Sequence, residues 1–435
     1  VRTWVDALGE QLQKTQEPDR ARKLFERYRK AFSASFRDRY SPETALDDFR
    51  IELPSWGFAD TGTRFGKFFQ DAAASTVEEK FHDAGLVHQL TGCCPSVAVH
   101  VLWDFAAGSD PKQVARLAKK HGIRIGSINP NVFQDQAYKL GSFCSPDDHA
   151  RAMALRHTLD CVELGAAVGS RVLSMWLADG TNYPGQDNLV ARKRRLADGL
   201  KRVAAAMKKR WPRGTMLVEY KPFEPGFYHT DIADWGMAAA FCRAAGPQAK
   251  VLVDTGHHLP GANIEHIVAF LLDEGLLGGF HFNDRKYADD DLTLGSIDPY
   301  AVFRIFDQIA QFSFDRGRAP SIEYMVDQSH NLKPKLEAMV QTVMEAQKQY
   351  LRAQLVDRRK LAAAQAKGDI VAAERTLRAA FEHDVTGPLA DWRKARGLPA
   401  DPLEELRGSG VIARLGRERA KAREERGEVR GGSYA

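Results

Sequence analysis

Acidic and imidazole side chains follow four short apolar runs in the second half of the chain. In order along the chain they are Glu219 with Lys221, Asp254 with His257, His281 with Asp289 and Asp291, and Asp327. If the runs are parallel strands, their carboxyl ends meet at one edge and bring five carboxylates to within roughly 6 Å of each other. Such a group repels by several kcal/mol even at an effective dielectric of about 20. One lysine and two divalent cations would balance the five charges, so the sequence predicts a two-metal site.

The ligand types narrow the choice of metal. Carboxylate oxygens and imidazole nitrogens, with no cysteine at these strand ends, suit Mn²⁺, Mg²⁺ or Co²⁺ better than a metal that prefers thiolates. We expect two divalent cations, with Mn²⁺ as the first choice.

Each motif taken alone has an ordinary structural explanation. The acidic run 289–291 could be a solvated loop, Asp254 could be a helix N-cap, and His281 could be a hydrogen-bonded core residue. Their joint placement at the ends of four successive strands favours a functional site.

The elements that must place these residues form a regular alternation. Eight apolar, β-branched runs lie at 50–56, 97–103, 124–128, 171–177, 215–220, 250–253, 278–282 and 321–326. Helical patterns lie between them, including 111–121, 149–168, 188–210, 234–245, 263–274 and 299–313. Eight such units predict an α/β fold, a (β/α)8 TIM barrel. A doubly wound sheet is disfavoured because the glycine-bearing stretch 57–64 lacks the G-x-G-x-x-G spacing.

The predicted domain organisation has three parts. Residues 1–46 are expected to be an N-terminal helical decoration, 47–345 the catalytic barrel, and 346–435 a helical C-terminal extension that packs between subunits.

A second group of residues follows the first four predicted strands. It comprises Trp56, His100, Asp104, Phe133 and Trp176, with Asn129 as a further candidate. Tryptophans at strand ends can be simple core residues. They can also stack on the C–H face of a sugar while the polar residues bind its hydroxyl groups. We therefore expect this group to bind substrate.

Composition excludes several classes of protein. The chain has 435 residues, 44% of them hydrophobic and 27% charged, which is close to the average for globular proteins. No apolar run is long enough for a membrane span and no secretory signal is recognisable. Five cysteines without a C-x-x-C pair suggest reduced thiols in the cytoplasm.

The net charge of +5 is located in the C-terminal extension. Residues 351–435 contain 18 Lys and Arg against 13 Asp and Glu, which leaves 44 of each sign in the rest of the chain. A neutral body argues against a nucleic acid as partner, and we expect a small-molecule sugar instead.

Together the motifs resemble those of the xylose-isomerase-like barrels, and among them the bacterial L-rhamnose isomerases of broad specificity. The motifs are E-x-K at Glu219, D-x-G-H-H at Asp254, F-H-F-N-D at Phe280, K-Y-x-D-D-D at Lys286 and D-Q-S-H-N at Asp327. Tyr220 departs from this group, in which a close relative has a histidine between the glutamate and the lysine.

The resemblance implies roles for individual residues. One metal would be held by Glu219, Asp254, His281 and Asp327, and the second by Asp254 as a bridge with His257, Asp289 and Asp291. Lys221 would contact the carbonyl end of the open-chain sugar, and His100 with Asp104 would lie near its ring oxygen. The expected catalytic residues are Lys221, Asp327, His257 and His100. The resemblance also implies a homotetramer in which the segment 58–65 reaches a neighbour's pocket.

The expected function is an aldose-ketose isomerase that moves a hydride between C1 and C2, with conversion of L-rhamnose to L-rhamnulose as the expected reaction. Two alternatives stay open. One is a ketose 3-epimerase or another sugar isomerase of the same superfamily. The other, from a different class, is a non-catalytic sugar-binding or scaffold protein.

Overall fold

A computed structural model describes residues 42–60, 69–106, 108–224, 228–329 and 332–428. Its strands are β1 Leu53–Pro54, β2 Ser96–His100, β3 Arg124–Asn129, β4 Val172–Met175, β5 Gly180–Thr181, β6 Thr215–Glu219, β7 Phe223–Glu224, β8 Tyr228–Thr230, β9 Ala249–Asp254, β10 Leu277–Phe282 and β11 Glu323–Val326. Eight of them pair in parallel in the order β1-β2-β3-β4-β6-β9-β10-β11. The other three, in the order β5-β8-β7, form a small antiparallel sheet.

The eight-stranded sheet closes on itself at residue Glu52. Its backbone N–H donates to the carbonyl of Tyr324 at 2.8 Å, and its carbonyl accepts from the N–H of Val326 at 2.9 Å. These bonds join the first strand to the last, which leaves no open sheet edge between them. The predicted (β/α)8 TIM barrel is confirmed.

Helices cover the outside of the barrel. In the described residues the helices are Pro42–Asp48, Val77–Thr91, Val101–Asp104, Pro111–Lys120, Asp148–Val168, Leu189–Arg210, Trp235–Ala245, Ile264–Asp273, Pro299–Arg316, Lys335–Gln354, Arg358–Ala366, Ile370–Phe381, Thr386–Lys394, Pro402–Gly408 and Val411–Glu425, with 3-10 turns at Ser55–Phe58 and Gln136–Leu140. All six helices predicted between the strands are present, within three residues at each end. Asp or Asn side chains cap their first turns, which explains why these boundaries could be predicted from local sequence.

The second strand is shorter than predicted. It ends at His100, and Val101–Asp104 turns into a short helix instead of continuing the strand. The Asp104 carboxylate accepts from the backbone N–H of His100 at 2.9 Å, and the Asn131 side chain accepts from Leu102 N–H at 3.0 Å. Side chains therefore replace the strand's hydrogen bonds at this point. Likewise, the first predicted strand gives way after Pro54 to the 3-10 turn Ser55–Phe58.

The helices after the last strand pack onto the barrel. Lys335–Gln354 is the helix that follows β11, and the predicted boundary at residue 345 falls inside it. Trp392 and Leu415, from the later helices, belong to the same apolar core as the barrel. Arg419 is buried and pairs with the buried Asp83 at 2.7 and 2.8 Å. The extension thus shares the barrel's core; its packing between subunits stays a prediction.

Most of the predicted N-terminal segment, residues 1–41, lies outside the described residues. The described helices include none with the length and apolar character that crossing a membrane requires. All five cysteines are buried free thiols.

Candidate active site

Four side chains from consecutive barrel strands meet at the carboxyl end of the barrel. Glu219 ends β6, Asp254 ends β9, His281 lies in β10 and Asp327 follows β11. One ligand atom from each lies within 4.8 Å of those of the other three. His281 Nδ1 is 3.3 Å from Glu219 Oε2, 3.5 Å from Asp327 Oδ2 and 3.9 Å from Asp254 Oδ2. The closed barrel brings together the four residues that the family resemblance assigned to the first metal.

This cluster has the donor set that a divalent cation requires. His281 Nδ1 is buried and faces three carboxylates, but it makes no well-aligned hydrogen bond to any described residue. A buried nitrogen without a partner is costly unless a ligand satisfies it. Three carboxylate oxygens and one imidazole nitrogen fit Mn²⁺, Mg²⁺ or Co²⁺.

The pKa values show how strongly these buried groups interact with one another. Burial, followed by the charges of Glu219 and Asp327, raises the pKa of Asp254 to about 7 even though His257 opposes it. Burial would lower the pKa of His281, but Glu219 and the other carboxylates raise it to about 9. Burial would also raise the pKa of Glu219, yet His281 and His257 lower it to about 2. The cluster retains protons at neutral pH, and a bound cation would displace them.

The residues assigned to the second metal lie beside the first cluster. His257 Nε2 is 3.2 Å from Asp289 Oδ1, and His257 Nδ1 is 3.1 Å from Glu219 Oε1. Asp291 accepts a hydrogen bond from Ser329 Oγ at 2.9 Å. Within the described part of the chain, only the first four residues reach mutual ligand spacing. The structure therefore places His257, Asp289 and Asp291 at one cavity without arranging them as tightly as the first set.

Asp291 has an unusual backbone conformation. Its φ is 49°, and it is the only non-glycine residue with positive φ in the described chain. Strained backbone of this kind is frequent where a side chain must point in a required direction. Burial and the nearby Asp289 raise the pKa of the Asp291 carboxyl well above its ordinary value.

Lys221 is held between two carboxylates at the wall of the cavity. Its ammonium lies 2.6 Å from Asp289 Oδ2 and 2.8 Å from Glu224 Oε2, and 5.5 Å from the ring centre of Trp176. Sequence reasoning did not identify Glu224, which is buried in the short strand β7. The available signal was its position three residues after Lys221, in the pattern E-x-K-x-x-E that begins at Glu219.

The cluster opens into a cavity of about 540 Å³. Its described lining comprises Trp56, His100, Trp103, Asn129, Pro130, Phe133, Gln134, Ser174, Trp176, Glu219, Lys221, His257, His281, Ala288, Asp289, Asp290, Asp291 and Asp327. The predicted residues Trp56, His100, Phe133 and Trp176 all lie on this lining. Trp103 and Gln134 were missed, because the short helix after β2 turns Trp103 toward the cavity where its Nε1 donates to Gln134 Oε1 at 2.8 Å.

The aromatic rings on this side form a continuous wall. His100 lies 4.7 Å from Trp56 and 4.1 Å from Trp103, while Phe133 lies 4.9 Å from Trp176, measured between ring centres. Burial, helped by the positive charges of His281 and Lys80, lowers the pKa of His100 to about 3. His100 is therefore a neutral imidazole in the wall.

The predicted substrate contact of Asp104 needs correction. Asp104 is only 2% exposed and is absent from the cavity lining. Its carboxylate accepts from Lys80 Nζ at 2.7 Å and from Ser55 Oγ at 2.6 Å, in addition to the backbone N–H of His100. These three donors hold it below the cavity surface, where it contacts the backbone of His100 and does not reach the cavity.

Two further parts of the prediction lie outside the described residues. They are His330 and Asn331 of the D-Q-S-H-N motif, and the portion from residue 61 onward of the segment proposed to reach a neighbour.

Comparison with known proteins places this barrel in a family. The family model described as a xylose isomerase-like TIM barrel matches residues 97–325. A second family model, helical motif 2 of glutamate dehydrogenase, matches residues 11–51, which end before β1. A probable sugar isomerase of Mesorhizobium japonicum is 38% identical over 395 residues, covering 89% of this chain and 88% of that protein. A probable sugar isomerase of Rhizobium meliloti is also 38% identical, over 376 residues that cover 85% of this chain and 86% of that protein.

More distant relatives agree with the fold. The xylose isomerase of Thermus thermophilus is 28% identical over 276 residues, covering 58% of this chain and 69% of that protein. Among solved structures, an L-ribulose 3-epimerase superposes with a TM-score of 0.52 at 14% identity, covering 74% of this chain and 98% of that one. At such low identity the superposition concerns the fold alone. Because the family description spans more than half of the sequence and the rhizobial proteins align along most of it, this chain belongs to the xylose isomerase-like TIM barrel family.

Proposed function

We propose that this protein is a metal-dependent aldose-ketose isomerase that moves a hydride between C1 and C2 of an open-chain sugar. The observation that carries the proposal is the cluster of Glu219, Asp254, His281 and Asp327, which opens into a cavity with an aromatic wall. The names of the rhizobial relatives, probable sugar isomerases, support it. The proposed reaction is L-rhamnose to L-rhamnulose, with other aldoses and ketoses as further substrates.

The proposed metal sites follow the two groups of ligands. The first cation would be held by Glu219, Asp254, His281 and Asp327, and the second by Asp254 with His257, Asp289 and Asp291. The proposed metal is Mn²⁺, with Mg²⁺ or Co²⁺ as alternatives. When bound, the two cations would stabilise negative charge on the oxygens of C1 and C2.

The side chains around the cavity would bind and orient the sugar. Lys221 would donate a hydrogen bond to the carbonyl oxygen, and its salt bridges to Glu224 and Asp289 fix the direction of its N–H groups. His100, as a neutral imidazole, would form a hydrogen bond with the ring oxygen of the sugar while the sugar ring opens. The faces of Trp56 and Trp176 would pack on the carbon skeleton and keep water away from it.

Asp327 and His257 are the remaining proposed catalytic residues. Both line the cavity on the side of the metal cluster. In the proposed reaction they would lie beside the two oxygens between which a proton has to move while the hydride moves between the carbons.

Two rival functions make different demands on the site. A ketose 3-epimerase would remove and return a proton with two glutamates on opposite sides of one metal. The metal cluster found in the described residues holds a single glutamate, Glu219, and has aspartates at the other carboxylate positions. A sugar-binding or scaffold protein would bind its sugar without turnover.

A screen of aldoses and ketoses on metal-stripped protein, with and without Mn²⁺, separates these functions. We expect interconversion of aldose and ketose only when Mn²⁺ is present, and no deuterium on carbon when the reaction runs in D₂O. Epimers at C3 as the only products would replace this proposal with the epimerase. Appreciable carbon-bound deuterium would rule out the hydride shift.

We also propose that the protein is a homotetramer that works in the cytoplasm, where its buried thiols stay reduced. Sedimentation equilibrium of the full chain gives its mass directly, and a monomer mass would refute the tetramer.

A further inference from the structure

The indole N–H of Trp56 makes a hydrogen bond to one of the proposed metal ligands. Its Nε1 donates to Asp327 Oδ1 at 2.9 Å, although 271 positions separate the two residues. We propose that Trp56 is a positioning residue that orients Asp327 for the first cation, in addition to forming part of the cavity wall. The inference rests on the proposed metal site.

The two oxygens of Asp327 have separate surroundings. Oδ1 accepts from the indole, while Oδ2 lies 3.5 Å from His281 Nδ1 inside the cluster. With one oxygen held by Trp56, the carboxylate presents the other to the cluster. A charge-assisted hydrogen bond of this kind restricts rotation of the carboxylate of Asp327, whose side chain is 22% exposed.

The indole donor of Trp56 lies on a tightly packed turn. Trp56 belongs to the 3-10 turn Ser55–Phe58, whose four residues are all buried. A Cβ atom built on Gly57 would lie 2.8 Å from Met339 Cε and 2.9 Å from the carbonyl oxygen of Gln328, the residue next to Asp327. The turn is therefore packed directly against the chain segment that it orients, and only glycine permits so close an approach.

The turn is also fastened at its other end. Ser55 Oγ donates to the buried Asp104 at 2.6 Å, and Asp104 pairs with Lys80. Because the turn is fixed by packing and by this bond, the indole donor is in place before a cation binds. Partners that hold a ligand from outside the coordination sphere contribute about 10- to 100-fold to metal affinity.

The chain offers a matched control. Trp103 lines the same cavity, but its indole N–H donates to Gln134, which is no proposed metal ligand. The substitutions Trp56→Phe and Trp103→Phe each keep an aromatic ring and remove one indole N–H. Only the first removes a bond to the cluster.

The experiment is calorimetric titration of Mn²⁺ alone into the metal-stripped full-length protein and these two variants. We expect Trp56→Phe to bind the first Mn²⁺ about 10- to 100-fold more weakly than the unaltered protein and Trp103→Phe to stay within about twofold. Excess Mn²⁺ should restore the turnover of Trp56→Phe, an outcome that general damage to the fold would not give.

Equal Mn²⁺ affinity of Trp56→Phe and the unaltered protein would overturn the positioning role, as would an equal loss in both variants. If the unaltered protein itself bound no Mn²⁺, the proposed metal site would fail first. Should Trp56→Phe not fold, site-specific 3-benzothienylalanine at position 56, which replaces the N–H by sulfur in a ring of the same shape, gives the same comparison.

Discussion

The two halves of the barrel mouth are built from different chemistry. The ends of β6, β9, β10 and β11 bring carboxylates and imidazoles together, whereas the ends of β1 to β4 bring aromatic rings and one neutral histidine. We call the ends of β6, β9, β10 and β11 the charged half, and the ends of β1 to β4 the aromatic half. In the charged half the pKa values of Asp254 and His281 lie well above their ordinary values. In the proposed reaction the charged half would hold the cations at the reacting oxygens, and the aromatic half would hold the carbon skeleton.

Among these predictions, substitution of Asp254 should have the largest effect on turnover. In the proposed site it serves both cations, so Asp254→Ala should reduce turnover by at least about 1,000-fold at any Mn²⁺ concentration. The metal-free variant should still unfold cooperatively, although it loses the hydrogen bonds that Asp254 accepts from Gly256 N–H at 2.7 Å and from Asn283 Nδ2 at 3.0 Å. Turnover assays and calorimetry measure the two effects. If Asp254→Ala kept its turnover, the proposed role of the charged half in binding the cations would be wrong.

Substitution of Lys221 tests whether this residue acts on the substrate or on metal binding. Lys221→Met removes the proposed donor to the carbonyl oxygen, so kcat should fall about 10- to 100-fold, the worth of a hydrogen bond from a charged group. Binding of the first Mn²⁺ should change little, since the ammonium contacts Asp289 and Glu224 and not the first cluster. Steady-state kinetics with a parallel Mn²⁺ titration measures this. An equal loss of metal affinity would assign Lys221 to the metal site instead.

The charged half should give the metal-free protein a distinctive pH dependence. The pKa of His281 is raised from 6.5 to about 9, so its protonated form stabilises the fold below about pH 6.5, and this contribution is lost as the pH rises toward 9. The pKa of Asp254 is raised from 3.8 to about 7, so its ionisation also destabilises the metal-free fold as the pH rises through that interval.

The unfolding temperature of metal-free protein should therefore fall between about pH 6.5 and pH 9, the interval in which His281 loses its proton. The apparent Mn²⁺ affinity should rise by up to about tenfold per pH unit for each proton displaced. Thermal scans in chelator and in Mn²⁺ across this range measure both. A metal-free unfolding temperature that rose toward pH 9 would contradict the assigned shifts.

The aromatic half should show the smallest effect and a different pattern. Phe133→Ala removes a ring that packs 4.9 Å from Trp176, and we expect KM for the sugar to rise about 5- to 20-fold, the worth of roughly 1 to 2 kcal/mol of contact. Mn²⁺ affinity should stay the same, because Phe133 contacts no proposed ligand. A change in Mn²⁺ affinity without a change in KM would erase the distinction between the halves.

The sequence was most informative where structure depends on neighbours in the chain. The helix starts after Asp110, Asp147 and Asn188 were predictable because the capping side chain lies within three residues of the bond it accepts. Strand two was extended too far because Asp104 and Asn131 end it with side-chain bonds, one of them from 29 residues away. Asp104 was placed in the pocket because sequence gives no sign of the lysine that holds it below the surface.

The sequence by itself determined the eight alternating units and which residue types stand at the strand ends, since both follow from periodicity along a single segment. Only the tertiary structure decided which of those residues meet. Barrel closure between Glu52 and the last strand brings Trp56 to Asp327, and the loop after β10 brings Asp289 to Lys221, 68 positions away. Such contacts depend on backbone paths that close in three dimensions, and a one-dimensional pattern contains no distance between segments that are far apart in the chain.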